Sequence, residues 1–376
     1  MSSITLPLGD LFARRTESVN PARHADETFE LFSVPSYDGR MPDLVTGAEI
    51  GSTKVSVLPG DVLLCKIVPH IRRAWVVPPR GSIRQIGSGE WIVMRDERFH
   101  SDYLRHLVLS DSFHALFMST VAGVGGSLMR ARPSYASTIP IRLPSLPEQR
   151  RIAAILDQAD ELRTKSRRAL ELLDELADSL FVDMFGSLDN SIGEPTALIE
   201  LGRVVTGKTP PSASEGMFGD FVPFVTPGDI GRELTLGRGL SRSGAAMVPL
   251  VASGSLLVCC IGATIGKIGM ATELSAFNQQ INAVEWGPRV DPTFGLFAVR
   301  QRREEIVNRA SSTTMPILNK GHFQKIQIAI PEIDRQRLFA KKIAVLTDQK
   351  KKSQSADVHL DELSASLQHL AFRGEL

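Results

Sequence analysis

Residues Leu173 to Leu180 read LDELADSL and Leu360 to Leu367 read LDELSASL, an offset of 187 residues. Internal duplication at that scale constrains the fold more than any local pattern does. At the same shift Pro144 falls on Pro331, Leu146 on Ile333, Gln149 on Gln336, Arg150 on Arg337, Ala153 on Ala340, Leu156 on Ile343 and Phe185 on Phe372, so some forty residues align without a gap. Upstream the match is fainter and the shift changes slightly: Leu8-Gly9 pairs with Leu201-Gly202, and PGDVLLCKI from Pro59 with SGSLLVCCI from Ser253. The chain has 376 residues, so two repeats tile it.

Each repeat runs from a variable segment to a closely matched helical one. In the first helical segment Ile152, Ile155, Ala159, Leu162, Ser166, Ala169, Leu173, Leu176 and Leu180 step by 3 and 4, which is a heptad seam. Pro147 suits a first turn and Gly186 a stop, which predicts a helix from about Leu146 to Phe185. The second, from Ile333 to about Ala371, keeps Phe339, Leu346, Ala356, Leu360, Leu363, Leu367 and Leu370 on its seam but puts Lys342, Gln349 and Ser353 at equivalent places. One apolar stripe needs a cover, and the matching stripe of the other repeat supplies it; homodimerisation through each rod is the alternative. The fold expected is α/β: two tandem α/β domains separated and followed by long helices that pair as an antiparallel intrachain coiled coil with pseudo-twofold symmetry. The boundaries read as residues 1–143, 144–187, 188–330 and 331–376. Within the variable segments, Val55 to Leu58, Asp61 to Ile67, Leu256 to Ile261 and Gln280 to Glu285 read as strands, and Leu104 to Met118 and Pro292 to Ala310 as helix.

Composition and motifs exclude several classes. Charged residues make up 23% and hydrophobic residues 43% of the chain, as in ordinary globular domains rather than disordered ones. The uncharged run from Ser243 to Gly266 contains Pro249, Ser253, Ser255 and several glycines, and reads as buried strand and turn rather than as a membrane span. Nothing resembles a leader, and a cytoplasmic location is expected. Cys65, Cys259 and Cys260 form no CxxC pair, and the spacing of His100, His106 and His114 does not place two ligands on one helical face, so no metal is expected. GATIGKIG from Gly262 lacks the spacing and the Ser or Thr of a phosphate-binding loop, and GVGG at Gly123 to Gly126 lacks a dinucleotide-fold frame. Asp291-Pro292-Thr293-Phe294 approaches the base-holding motif of amino-methyltransferases, but Thr293 replaces its second proline and no methyl-donor loop accompanies it. No catalytic constellation and no cofactor site is therefore expected in this chain.

The junction Leu143-Pro144-Ser145-Leu146-Pro147-Glu148-Gln149-Arg150-Arg151-Ile152, the helix end Ser179-Leu180-Phe181-Val182-Asp183-Met184-Phe185-Gly186, and the C-terminal Ala371-Phe372-Arg373-Gly374-Glu375-Leu376 resemble those of the specificity subunits of type I restriction-modification systems. Gly262-Ala263-Thr264-Ile265-Gly266-Lys267 and Asn278-Gln279-Gln280-Ile281 look like elements of that family's target-recognition domains, whereas the first variable domain shows no clear Asn-Gln-Gln counterpart. The second junction departs in having Asp334-Arg335 where the family often has Pro-Glu. The resemblance implies a non-catalytic DNA-binding subunit. Each variable domain would read one half of a bipartite site on double-stranded DNA, and the paired rods would set the spacer and dock two adenine-methyltransferase subunits. S-adenosylmethionine would then sit in those subunits, and ATP and Mg in restriction subunits that join later; no membrane is involved.

The net charge of only +1 runs against a DNA-binding role, because sequence-independent affinity comes from Lys and Arg. Local contacts must supply it. The candidates are Arg72, Arg73, Arg84, Arg130 and Arg132 in the first domain and Lys208, Arg232, Arg238, Arg242, Lys267, Gln279, Gln280 and Lys320 in the second. Arg suits guanine and Gln suits adenine in the major groove. The rod charges, among them Arg163, Arg167, Lys350 and Lys351, read as solvated or partner-facing. Two competing readings stand: a coiled-coil scaffold whose end domains bind proteins, and a self-sufficient DNA methyltransferase.

Overall fold

A computed structural model describes residues 3–122, 129–187, 192–211, 216–231, 237–310 and 316–376. The chain forms two compact units, residues 1–167 with 355–376, and residues 168–354. Each unit thus takes one variable domain and one half of each long helix.

The first long helix spans Leu146–Phe185 and the second Ile333–Arg373, close to the predicted limits. Gly186 ends the first in the left-handed region (φ 82°), with its N–H on the Val182 carbonyl, a conformation that costs glycine little. Within each unit the two helix halves run antiparallel. In the first unit Arg151 meets the Leu376 backbone and Arg163 meets Asp361; in the second Asp174 meets Lys350 and Phe181 meets Phe339. Arg163–Asp361 at 2.6 Å and Lys350–Asp174 at 2.9 Å are one ion pair written twice, because 163 and 350 differ by 187, as do 174 and 361. These basic residues are therefore not merely solvated; they hold one long helix to the other.

The structure corrects the seam in its middle. Ile152 and Ala159 are buried, Phe339 is wholly enclosed, and Ile155, Leu173, Leu180, Leu346, Leu360, Leu367 and Leu370 are half-buried. Leu162, Leu176 and Leu363, however, are 45%, 50% and 50% exposed, while Arg163, Ala177 and Ser364 turn inward beside them. A strict seven-residue reading drifts against a straight helix of 3.6 residues per turn. The inward face is also shared, toward the partner helix and toward the variable domain. The second unit gathers Phe181, Phe185, Phe294, Phe297 and Phe339 with ring centroids 4.9–6.1 Å apart. The first packs Ile152, Leu156 and Ala371 against Leu8, Tyr103 and Leu104.

The variable domains are built alike. In the first, Val62–Cys65 is the central strand between Ala74–Val76 and Trp91–Met94; in the second, Leu256–Cys259 lies between Ile268–Met270 and Ile281–Trp286, with Gly202–Thr206 added at the edge. Both central strands are buried at every residue, so an unbroken apolar run is what they require. That accounts for the uncharged segment from Ser243, and among the described residues no helix is long and apolar enough to cross a membrane. A second sheet in each domain carries one parallel pair, Thr28–Phe32 with Arg84–Gly87, and Phe218–Val225 with Ser275–Phe277.

Each expected domain helix is two. Ser101–Leu109 and Asp111–Met118 break at Ser110, which is extended (ψ 154°) and whose hydroxyl accepts from the Phe113 N–H; Pro292–Gln301 and Arg303–Asn308 break at Arg302. Asp291 caps the Pro292 helix, its carboxylate accepting from the N–H groups of Thr293 and Phe294. Phe294 is core. The methyltransferase-like string is thus a capped helix start, with its acidic group already engaged.

The duplicated glutamine of the two junctions is a clamp. Gln149 Oε1 accepts from the His100 N–H at 2.7 Å, and its Nε2 donates to the Arg98 and Pro144 carbonyls at 2.8 and 2.9 Å. Gln336 does the same with the Asp291 N–H at 2.9 Å and the Arg289 and Pro331 carbonyls at 3.0 and 2.8 Å. Both side chains are fully buried, so each amide ties a long helix to the domain that precedes it with its hydrogen-bonding capacity used inside the protein.

Candidate nucleic-acid interface

In each variable domain the strand ends converge on one turn. In the second it is Asn278-Gln279-Gln280, joining Ser275–Phe277 to Ile281–Trp286. The Asn278 N–H donates to Val225 O, Cys260 N–H to Gln280 O, Ile281 N–H to Asn278 O, and Gln280 N–H to the Asn278 side-chain oxygen, at 2.8–3.1 Å. In the first domain Ser88-Gly89-Glu90 repeats every one of these: Ser88 N–H to Phe32 O, Lys66 N–H to Glu90 O, Trp91 N–H to Ser88 O, and Glu90 N–H to Ser88 Oγ.

The first domain does therefore have a counterpart to Asn-Gln-Gln. Sequence comparison misses it because the conserved quantity is a pattern of main-chain hydrogen bonds, satisfied equally by Asn and by Ser at the first position. The neighbouring loop matches too. Val68 N–H donates to Met129 O and Ala131 N–H to Lys66 O, just as Gly262 N–H donates to Pro316 O and Leu318 N–H to Cys260 O. Val68 and Gly262 both take positive φ, 46° and 83°, where only Gly262 is free of side-chain strain.

The side chains around this common scaffold differ. Gln279 is exposed and its carbonyl oxygen accepts from Thr209 Oγ1; Lys208 is exposed beside it, its N–H on Phe277 O; Gln280 is half-buried and accepts from Asn278 Nδ2. Lys320, exposed, begins a short helix just after the Leu318 contact. In the first domain Arg130 Nη2 donates to Glu90 Oε1 at 3.0 Å and the Lys66 ammonium donates to the Gly89 carbonyl.

Arg73 and Lys267 occupy one position, since Cys65 N–H bonds Arg73 O as Cys259 N–H bonds Lys267 O. Both are turned back into the protein. Arg73 makes a two-armed pair with Asp38 at 2.8 and 2.9 Å, which holds the Asp38 carboxyl below its ordinary range, and Lys267 donates to the Pro227 carbonyl at 3.1 Å. Arg72 is engaged by Asp111 at 2.6 Å and the Leu109 carbonyl, and Arg84 lies 4.0 Å from both Glu17 and Glu27. Arg132 is exposed, 5.6 Å from the Tyr135 ring centre. Arg238 and Arg242 lie over the rings of Phe218 and Phe221 at 3.6 and 4.5 Å, flanking the Phe218–Val225 strand rather than the turn. Arg232 and the GVGG stretch at 123–126 lie outside the described residues. The polar side chains at the turns are thus Lys208, Gln279 and Arg130, all exposed, with the half-buried Lys66 and Glu90; Lys66 and Glu90 carried no sequence signal of their own.

The glycine-rich loop from Gly262 spends its amides internally, Ile265 N–H on Gly262 O, Gly266 N–H on Cys259 O and Lys267 N–H on Thr264 O, so they do not converge as a phosphate cradle would require. Burial pushes the Cys259 thiol up to about 11 and the Cys260 thiol to about 12, keeping both protonated as core groups. Among the described residues no group of His, Cys, Asp and Glu side chains could hold a metal ion.

Residues 194–356 match the family model of the type I restriction modification DNA specificity domain. The chain is similar to the HindI type I restriction enzyme specificity subunit of Haemophilus influenzae, 28% identical over 191 residues that make up 49% of this chain and 41% of that protein. It is also similar to a putative MjaX specificity subunit of Methanocaldococcus jannaschii, 20% identical over 264 residues, 63% of this chain and 59% of that one. The matches span about two-fifths to three-fifths of these curated relatives. In fold, the chain resembles the S subunit of a type I restriction-modification system from M. genitalium, with a TM-score of 0.61 at 15% identity, covering 99% of this chain and 96% of that one. A chain from a type I R-M system studied for its complex assembly and conformational transition gives a TM-score of 0.64 at 20% identity, covering 100% and 98%. At such identities the likeness is one of fold.

Proposed function

From a chain that carries a type I restriction modification DNA specificity domain and has the fold of specificity subunits, we propose that it selects DNA sequence for a type I restriction-modification complex. Each variable domain reads one half of a bipartite site in double-stranded DNA, and the helical connection fixes the separation of the halves. The observation that carries this reading is the twice-built turn: an identical main-chain scaffold at Ser88-Gly89-Glu90 and Asn278-Gln279-Gln280, dressed with different exposed polar side chains. Reading two different half-sites requires that combination, since phosphate contacts fix register while side chains at base edges specify.

Two adenine-methyltransferase subunits bind the long helices. The apolar residues left wet there, Leu172, Leu176 and Val345 in the second unit and Leu162, Val358 and Leu363 in the first, suit such docking. Chemistry resides in the partners, with S-adenosylmethionine in the methyltransferase subunits and ATP with Mg in the restriction subunits.

The test is a genome-wide map of methylated adenine in cells making this chain with its methyltransferase subunits, against cells lacking the chain. A new split motif is the expected result. Unchanged methylation from a soluble complex refutes the reading and favours a protein-binding scaffold. Exchanging residues 196–320 for those of a relative changes one half-site only; a change in both contradicts independent reading.

A further inference from the structure

Among the described residues, only the first domain places a guanidinium against the turn. Arg130 sits on a bridge to Ile67, and the equivalent bridge of the second domain, Ile261 to Ile317, puts an isoleucine there. Arg130 is 59% exposed although it is tied to Glu90, whose side chain is 28% exposed. Glu90 is itself fixed, its N–H on Ser88 Oγ and its carbonyl accepting from the Lys66 N–H. The guanidinium is therefore held at one nitrogen by the carboxylate of a residue whose main chain the turn holds in place.

A carboxylate 3.0 Å away makes Arg130 a poor ligand for a phosphate, which would meet a like charge. It does not bar a neutral base edge. With one Nη2 proton on Glu90, the guanidinium has four N–H donors left, and two in-plane donors are what the N7 and O6 acceptors of guanine require. We propose that Arg130 is a specificity-determining residue that reads a guanine in the half-site of the first variable domain, with Glu90 as its positioning residue. The inference rests on the DNA-reading function above and names the base chemistry of one half of it.

The experiment uses the full chain co-produced with its methyltransferase subunits, comparing wild type with Arg130→Lys, Arg130→Ala and Glu90→Gln by genome-wide mapping of methylated adenine. The first half-site is identified as the one that stays fixed when residues 196–320 are exchanged. Wild type shows an invariant guanine in that half. Arg130→Lys and Arg130→Ala both lose the preference for it by on the order of ten- to a hundredfold, and the other half is untouched. Glu90→Gln relaxes the same position to a lesser degree, a change that a purely structural role would not produce. Melting curves of each variant matching wild type confirm folding. A first half-site without an invariant guanine overturns the inference, as does Arg130→Ala lowering methylation evenly over an unchanged motif, which is the behaviour of a phosphate contact. Wild type giving no split motif refutes the DNA-reading function itself, a separate outcome.

Discussion

Replacing Gln336 by alanine tests the idea that a repeated amide anchors each long helix to its domain. The substitution removes three hydrogen bonds of 2.8–3.0 Å from a side chain with no solvent exposure. At about 1 kcal/mol net for each bond, with a further ~1–3 kcal/mol for burying the Asp291 N–H without an acceptor, the cost is about 4–6 kcal/mol. The two carbonyls left behind are a smaller penalty, because a carbonyl deprived of one donor still has a second lone pair to use. At about 2–4 °C per kcal/mol for a unit of 150–250 residues, the melting transition of the second unit falls by roughly 8–24 °C. Amide hydrogen exchange gives the local readout: the Asp291 amide loses protection in Gln336→Ala, and the His100 amide in Gln149→Ala. Each variant leaves the other unit's amide protected. Glutamate at 336 is no rescue, since its carboxylate would face two carbonyl oxygens in place of an N–H donor. A Gln336→Ala protein within about 0.5 kcal/mol of wild type, with Asp291 still protected, would refute the clamp.

The seam correction predicts that Leu176→Asp changes melting by under about 1 kcal/mol, whereas Ser364→Asp, beside the exposed Leu363 and itself enclosed, costs about 2–4 kcal/mol by burying a charge; thermal melting of the pair decides it, and equal effects would restore the heptad reading. A pH effect is expected in the first unit. Burial, and next the Arg105 guanidinium, lowers the buried His106 from its ordinary value of 6.5, against the opposing pull of Asp157 at 2.8 Å and Asp160 at 3.9 Å. A base whose folded value is lowered binds fewer protons folded than unfolded, so stability falls as pH drops through 6.5 and is fully present above it. Phenylalanine, which the second unit carries at the equivalent Phe297, removes that slope in His106→Phe, measured by melting between about pH 7.5 and 5.5; an undiminished slope would assign it to another group.

The sequence by itself determined the duplication, both long helices to within a few residues, and the buried central strands, because each depends on period and composition along the chain. It also carried the repeated ion pair and the repeated clamp: 163 with 350, 174 with 361 and 149 with 336 are all visible at an offset of 187, although not what they touch. Tertiary structure alone decided which face of each helix turned inward, since a side chain at a heptad position is buried only if a neighbour covers it. Leu363 was left in solvent and Ser364 enclosed for that reason. It also sorted the candidate contacts. Arg73 and Arg130 have the same chemistry in the sequence, but a carboxylate 35 residues upstream encloses Arg73, whereas Glu90 tethers Arg130 and leaves it at the surface. The turn at Ser88-Gly89-Glu90 was invisible for a related reason. Main-chain hydrogen bonds specify a backbone path without specifying the residues that follow it, so the same element was rebuilt with side chains that share no identity with Asn278-Gln279-Gln280.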